Sequence, residues 1–337
     1  MSHDSKAGLN RRLSVAPMMD WTDRHCRFLH RLISARTLLY TEMITAAAIA
    51  HGDVERLLGF SEAEQPVALQ IGGSEPDLLA TAVRTALDFG YPEINLNVGC
   101  PSDRVQSGAF GACLMREPDL VADCVAAMID ASEGRAVISV KCRLGVDDQV
   151  VEDTLPDFIN KVSGAGVTVF CIHARKAWLQ GLSPKENRDI PPLDYALARR
   201  IKAERPDLNI SVNGGVTDLA ATEAFLADGF DGVMIGRAAY HDPMSVLAAA
   251  DRRIFGQTTP EPQAEDVVRA MLPYIDDRLA QGDRLNQITR HMLGLFQGRP
   301  GARRWRRILS EGAHKAGAGP ALVEEALSAI EPASEAA

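Results

Sequence analysis

The chain has 337 residues, 46% hydrophobic and 24% charged, with a formal net charge of −9. That length suits one large α/β domain plus a smaller one, and the composition is that of an ordinary globular protein, with no apolar run near the roughly 20 residues that span a bilayer. The acidity excludes a protein that coats nucleic acid indiscriminately, yet between Arg284 and Lys315 eight basic residues face one acid, Glu311.

The opening MSHDSKAGLNRR has no apolar stretch of the kind a secretory leader needs. Strand candidates then follow at LSVAPM (13–18), LLYTEM (38–43), VALQIG (67–72), EINLNV (93–98), AVISVKC (136–142), VTVFCIHA (167–174), NISVNGG (209–215) and DGVMIGR (231–237). Amphipathic helices alternate with them, such as DLLATAVRTALDFG (77–90), DLVADCVAAMIDAS (119–132) and TDLAATEAFLADG (217–229). Adjacent apolar residues within several of the strands, rather than strict alternation, predict a parallel sheet covered by helices. Eight strands alternating with helices predict an α/β fold of the (β/α)8 TIM-barrel class over residues 1–255. An open Rossmann sheet fits worse, because LSVAPMMDWTD stands where GxGxxG would follow the first strand. GQTTPEPQA (256–264) reads as a linker. Beyond it, EDVVRAMLPYIDDRLAQG, RLNQITRHMLGLFQG, ARRWRRILSEGAHKAG and ALVEEALSAI predict a small all-helical C-terminal domain over 265–330, with 331–337 a frayed tail.

In such a barrel, polar residues at the C-terminal strand ends converge on one mouth. Strand by strand they are Pro17, Met18 and Met19; Glu42; Gln70; Asn95, Asn97 and Cys100; Lys141 and Arg143; His173 and Arg175; Asn213; and Arg237. Any one of them is compatible with a satisfied polar group at a strand end. A ring with at least one per strand points to a ligand. The six cysteines (26, 100, 113, 124, 142, 171) form no CxxC pair or His/Cys metal spacing, and Glu42 is the one obvious strand-end carboxylate. No metal is therefore expected, and a reduced, cytoplasmic setting is.

Two chemistries suit the ring. One is a Schiff base at Lys141. The other is a flavin, since Gln70, Lys141 and His173 can hydrogen-bond the edge of a heteroaromatic ring. The backbone around Gly214, Gly215 and Gly236, with the Arg237 guanidinium, suits a terminal phosphate, where barrels build such sites after strands seven and eight. One phosphate with an isoalloxazine ring is FMN, whose anionic reduced form a nearby lysine favours. A thiol at Cys100, in EINLNVGCPSD (93–103), then suits a general acid, because an ordinary thiol is protonated near neutral pH.

At these residues the chain resembles a known family. APMMDWTD (16–23), YTEMITA (40–46), VALQIGG (67–73), EINLNVGCPSDRVQSGAFGACLM (93–115), KCRLGVDD (141–148), IHARKAWLQGLSPKENRDIPPLDY (172–195), NGGV (213–216) and MIGRAAYHDP (234–243) resemble the tRNA-dihydrouridine synthases, in the branch acting on uridines 20 and 20a of the D-loop. The similarity runs from about residue 12 to 315. It implies an FMN-containing barrel reduced by NADPH, and tRNA as the partner of the helical domain. It also implies FMN contacts at Pro17, Met18, Met19, Gln70, Lys141, His173, Asn213, Gly214, Gly215, Gly236 and Arg237. Cys100 takes the proton-donor position and Asn97 a position that touches the target base. Lys185, Arg188, Arg299, Arg303 and Arg304 take tRNA-contacting positions. A monomer is expected.

Plainer readings stand beside these. Cys26, Cys113, Cys124, Cys142 and Cys171 read as structural. ARRWRR (302–307) alone reads as a solvated helix face, and only the resemblance turns it toward RNA. Trp21 and Trp178 suit either base stacking or packing. Two other function classes are an FMN barrel acting on a free small molecule and a non-enzymatic RNA-binding protein on a degenerate barrel. The basic helical appendage counts against the first, and bound flavin would count against the second.

Overall fold

The computed structural model describes residues 9–102 and 109–330; the tail at 331–337 lies outside them. Eight strands follow one another around a closed parallel barrel: β1 (Leu13–Val15), β2 (Leu38–Thr45), β3 (Val67–Gly72), β4 (Glu93–Val98), β5 (Val137–Cys142), β6 (Val169–His173), β7 (Asn209–Asn213) and β8 (Gly232–Ile235). β1 closes the ring on β8, with Leu13 opposite Val233 and Val15 opposite Ile235. Helix α1 (Arg24–Ile33) follows β1, and α2 (Pro76–Leu87), α3 (Pro118–Ser132), α4 (Val151–Gly164), α5 (Tyr195–Glu204) and α6 (Leu219–Ala227) continue the outer layer. Their starts are marked in the sequence. Asp23 caps α1 by accepting the His25 and Cys26 N–H groups, Asp218 caps α6, and proline opens α2 and α3.

The period of two within each strand divides two environments. On β4, Ile94, Leu96 and Val98 join the core beneath the helices, whereas Glu93, Asn95 and Asn97 turn into the barrel. Inside, a small apolar cluster of Ala16, Leu38, Tyr40, Ala68, Cys171 and Met234 fills part of the space. An enclosed cavity of about 10 Å³, bordered by Arg11, Tyr40, Glu93 and Ser139, lies at the N-terminal ends of the strands, away from the mouth. It has room for about one water.

After β8 the chain passes through α7 (Arg237–His241) and two further short helices (Pro243–Leu247 and Ala250–Arg253), then has no helix or strand over 256–263. The C-terminal helices are α8 (Ala264–Ala280), α9 (Leu285–Thr289), α10 (Ala302–Gly312) and α11 (Pro320–Leu327). The helix expected to run through 284–298 stops at Thr289 and gives way to turns over 290–301. Three glycines lie in these turns. Gly294 packs against the His241 carbonyl with no room for a Cβ, and Gly298 and Gly301 adopt φ of +79° and +84°.

The helical segment is seated on the barrel. Tyr274 of α8 stacks on Phe28 of α1 at 3.9 Å and its hydroxyl meets His25 Nδ1 at 2.8 Å. The α1 cap, Asp23, also accepts from Arg290 at 2.5 Å and lies 3.0 Å from His291 Nε2. One apolar core continues from the strands to Trp305, which is fully buried and donates its Nε1–H to the Met292 carbonyl at 3.2 Å. Among the described residues no helix is long and apolar enough to cross a membrane.

Candidate active site

An amide shapes the turn that ends β4. Asn97 Oδ1 accepts the N–H groups of Gly99 and Cys100, each at 3.0 Å, while its Nδ2 donates to Gln70 Oε1 at 2.8 Å. The side chain expected to meet a substrate base therefore serves the turn first and keeps one N–H to spare. Cys100 is half-buried, with Sγ 3.5 Å from Ser102 Oγ.

Arg143, which the sequence places in the ring without a role, braces this turn. It is buried, and its Nε donates to the Gly99 carbonyl at 3.1 Å while a terminal nitrogen donates to the Asn187 carbonyl at 2.9 Å. One guanidinium thus ties the cysteine turn to the loop after β6. Lys185 and Arg188 flank Asn187 on an exposed 3₁₀ turn of that loop, and Asn187 is itself buried, its amide clasping both backbone groups of Trp178.

The facing strands supply a second cluster. Lys141 Nζ donates to Asn213 Oδ1 at 3.1 Å, and Asn213 Nδ2 donates to the Met234 carbonyl at 2.8 Å. Burial pushes the Lys141 ammonium below the ordinary lysine range. Burial, reinforced by the cations Arg143 and Lys141, holds His173 far below the usual histidine range, so its ring is neutral at physiological pH. No described residue hydrogen-bonds that ring. Gly214 and Gly215 take φ of +105° and +72°, and a Cβ on Gly214 would fall 2.6 Å from His173 Cδ2. Only glycine lets the backbone pass over the imidazole. At Gly236 a Cβ would stand in ordinary contact with Ala16 Cβ and Met18 Sδ, each 3.6 Å away. Arg237 holds Asp189 at 2.7 Å in a half-exposed pair. Pro17 and Met18 are half-buried and Met19 exposed in a turn that Thr22 closes, its Oγ1 accepting the Met18 N–H at 2.9 Å.

Arg303 and Arg304 are exposed on α10, with Trp305 beside them turned into the core; Arg299 pairs with Glu265 at 2.6 Å. These three therefore lie on the helical segment and not at the strand ends. Of the two tryptophans with open readings, Trp21 stacks on Tyr240 at 4.5 Å, and Trp178 is exposed with the Lys176 ammonium 5.7 Å from its ring centre. Sequence reasoning passed over Tyr195, whose hydroxyl donates to the Gly214 carbonyl at 2.6 Å, and Asp189. Asp189 was findable beside Arg188; Tyr195 carries no local signal.

The donor set is a neutral imidazole, a half-buried amine and the amides of Gln70, Asn97 and Asn213, beside a glycine turn at 214–215 that a Cβ could not enter. It fits a planar heteroaromatic ring with an anionic tail. Among the described residues no cluster of His, Cys, Asp and Glu could hold a metal ion.

The family model for dihydrouridine synthases matches residues 14–331. The chain belongs to the dihydrouridine synthase family. The tRNA-dihydrouridine(20/20a) synthase of Salmonella typhi is 58% identical over 320 residues, 95% of this chain and 95% of that protein. The enzyme of the same name from Escherichia coli (strain K12) is 58% identical over 95% of this chain and 91% of its own length. A Xanthomonas campestris relative, also so named, is 56% identical over 94% and 92%. Among solved structures, the old yellow enzyme homologue of Zymomonas mobilis superposes with a TM-score of 0.53 at 12% identity, over 78% of this chain and 93% of that one. Morphinone reductase gives 0.53 at 13%, over 77% and 89%. At such identities these two share the fold alone. In this dihydrouridine synthase the TIM barrel is thus established by its own strand order, and the family by residues that run from β1 through the C-terminal helices.

Proposed function

We propose that this synthase reduces the C5=C6 bond of uridines 20 and 20a in the D-loop of tRNA, with FMN bound at the barrel mouth and NADPH as electron donor. The observation that carries this reading is the half-buried Cys100 thiol, fixed by Asn97 and Arg143 beside the Lys141–His173–Gly214 cluster. Relatives 58% identical across 95% of the chain bear that activity in their name.

Pro17, Met18, Met19, Gln70, Lys141, His173 and Asn213 would hold the flavin ring system, and Gly214, Gly215, Gly236 and Arg237 its phosphate. When bound and reduced, that cofactor supplies the hydride for uracil C6. The residues of the chain do the rest. The Cys100 thiol holds the proton for C5 and regains one from water. The neutral His173 ring offers an N–H without a competing charge, and Lys141 keeps its ammonium, anchored on Asn213, for an electron-rich ring edge. Asn97 has one N–H left for the base. A uracil reaches this mouth only after leaving the tRNA stack. Lys185 and Arg188 beside the mouth, with Arg299, Arg303 and Arg304 on the helical segment, would meet phosphates, so affinity falls as salt rises.

The test uses the full chain, because the shared core makes removal of the helical segment a stability experiment. Cys100→Ala should purify with flavin and oxidise NADPH, yet leave the D-loop uridines of an unmodified tRNA unreduced, read by mass spectrometry of digested tRNA. Wild-type dihydrouridine formation by that variant would remove Cys100 from the reaction. A wild-type protein without flavin, or inert on tRNA, would remove the reading itself.

A further inference from the structure

The interior of the barrel contains a continuous chain of hydrogen bonds from its floor to the Cys100 turn. At the floor, Glu93 is completely buried; its Oε2 accepts Arg11 Nε at 2.7 Å, and its Oε1 accepts both the Tyr40 and the Ser139 hydroxyls at 2.6 Å. Ser139 Oγ then accepts Asn95 Nδ2 at 2.8 Å, Asn95 Oδ1 accepts Gln70 Nε2 at 2.8 Å, and Gln70 Oε1 accepts Asn97 Nδ2 at 2.8 Å. Asn97 Oδ1 closes the series on the Gly99 and Cys100 N–H groups. The strand register makes this possible, since Gln70, Asn95 and Ser139 are direct neighbours on β3, β4 and β5.

The Asn95 and Gln70 amides, which meet only side chains, have no intrinsic preference for either end, whereas the Gly99 and Cys100 N–H groups already require the Asn97 oxygen. A carboxylate, however, only accepts. Three donors converge on Glu93, so the Ser139 hydroxyl must point its hydrogen downward and take one from above. That choice orients Asn95 and then Gln70, so that Gln70 offers its oxygen to the Nδ2 of Asn97, and no link is free to reverse alone. We propose that Glu93 is a positioning residue for the reaction. Through Ser139 it fixes the ends of Asn95 and Gln70, so that Gln70 holds Asn97, and with it the Cys100 backbone, where the thiol can protonate the base. This rests on the reduction proposed above.

The perturbation that isolates the relay is Ser139→Ala, which leaves the Arg11–Glu93 pair intact and frees the Asn95 amide. Tyr40→Phe is the matched control. It removes a bond to the same Glu93 oxygen but leaves every link of the relay in place. With unmodified tRNA as substrate, Ser139→Ala should lower kcat for dihydrouridine about tenfold, equivalent to about 1.4 kcal/mol of transition-state stabilisation, with KM for tRNA within about twofold of wild type. Tyr40→Phe should keep its kcat even if its melting temperature drops. Ser139→Thr, whose methyl borders the floor cavity, should restore most of the loss. If Ser139→Ala does not fold, Asn95→Leu, which breaks the next link, carries the same expectation. Wild-type kcat in a relay-breaking variant, or an equal fall in Tyr40→Phe, would overturn the inference. A wild-type enzyme inert on tRNA would instead defeat the parent reading.

Discussion

Lowering the pH should loosen the seam between the barrel and its C-terminal helices, with histidines on α1 responsible. Burial lowers His30 to about 3, with His291 and Arg31 acting in the same direction. Burial lowers His25 to about 4 against the opposing charges of Asp23 and Asp283, with His291 and Arg278 adding to the fall. Both rings are therefore neutral when folded at neutral pH, whereas in the unfolded chain they titrate near 6.5. Above that value their contribution is complete. As pH falls from 6.5 toward 4 the unfolded chain takes up protons that the folded one refuses, so stability declines through this window. At pH 5 each histidine costs about 2 kcal/mol, about 4 together, which at about 2–4 °C per kcal/mol lowers the first thermal transition by about 8–16 °C. Asp23 acts in another window. Burial raises it, but the His291 hydrogen bond and charge outweigh that and hold it well below the carboxylate range, so its stabilisation is lost only at more acid pH. The assay is a thermal melt at pH 8 and pH 5 of wild type and His30→Gln, which keeps a polar group beside Cys26 without a titrating ring. About half of the pH-dependent drop should disappear in the variant. A drop equal to that of wild type would refute the assignment.

Three further outcomes follow from the site and its support. Gly214→Ala places a methyl 2.6 Å from the His173 ring at a φ of +105°, a strain of about 1–3 kcal/mol; purified protein should carry much less flavin per chain, measured by visible absorbance. Arg143→Met removes the donors to the Gly99 and Asn187 carbonyls, so turnover on tRNA should fall at least about tenfold while NADPH oxidation is largely kept, measured by parallel steady-state assays. Trp305→Ala empties a fully buried site in the helical segment at a cost of about 3–5 kcal/mol; limited proteolysis should cut first within residues 264–330.

The barrel was legible because several strands carry adjacent apolar residues and each is followed by a helical stretch, and neither feature depends on distant residues. The mouth was legible for the same reason: once strands are placed, Lys141, His173 and Asn213 must converge at their ends. Arg143 was visible as a member of the ring but not as a brace, because its acceptors are backbone carbonyls of residues 99, 176 and 187, which no side-chain pattern announces. The stretch 284–298 was misread as one helix because its apolar spacing is helical. In the fold the helix ends at Thr289, and Gly294, in the turns beyond it, packs against the His241 carbonyl, a tertiary contact between segments some fifty positions apart in the chain. ARRWRR divides in the fold as an amphipathic face should, with the indole inward and its neighbouring arginines outward.

The Arg143 brace also limits how the enzyme can be modified. Arg143 ties the loop carrying Lys185 and Arg188 to the turn carrying Cys100, so on the roles proposed for those residues substrate choice and chemistry are coupled. A loop grafted from a relative with another preference must present a carbonyl at position 187 at the same height, or the thiol shifts with it. Retargeting by loop exchange alone should therefore produce enzymes that bind a new RNA and turn it over poorly until the residues around Arg143 are refitted.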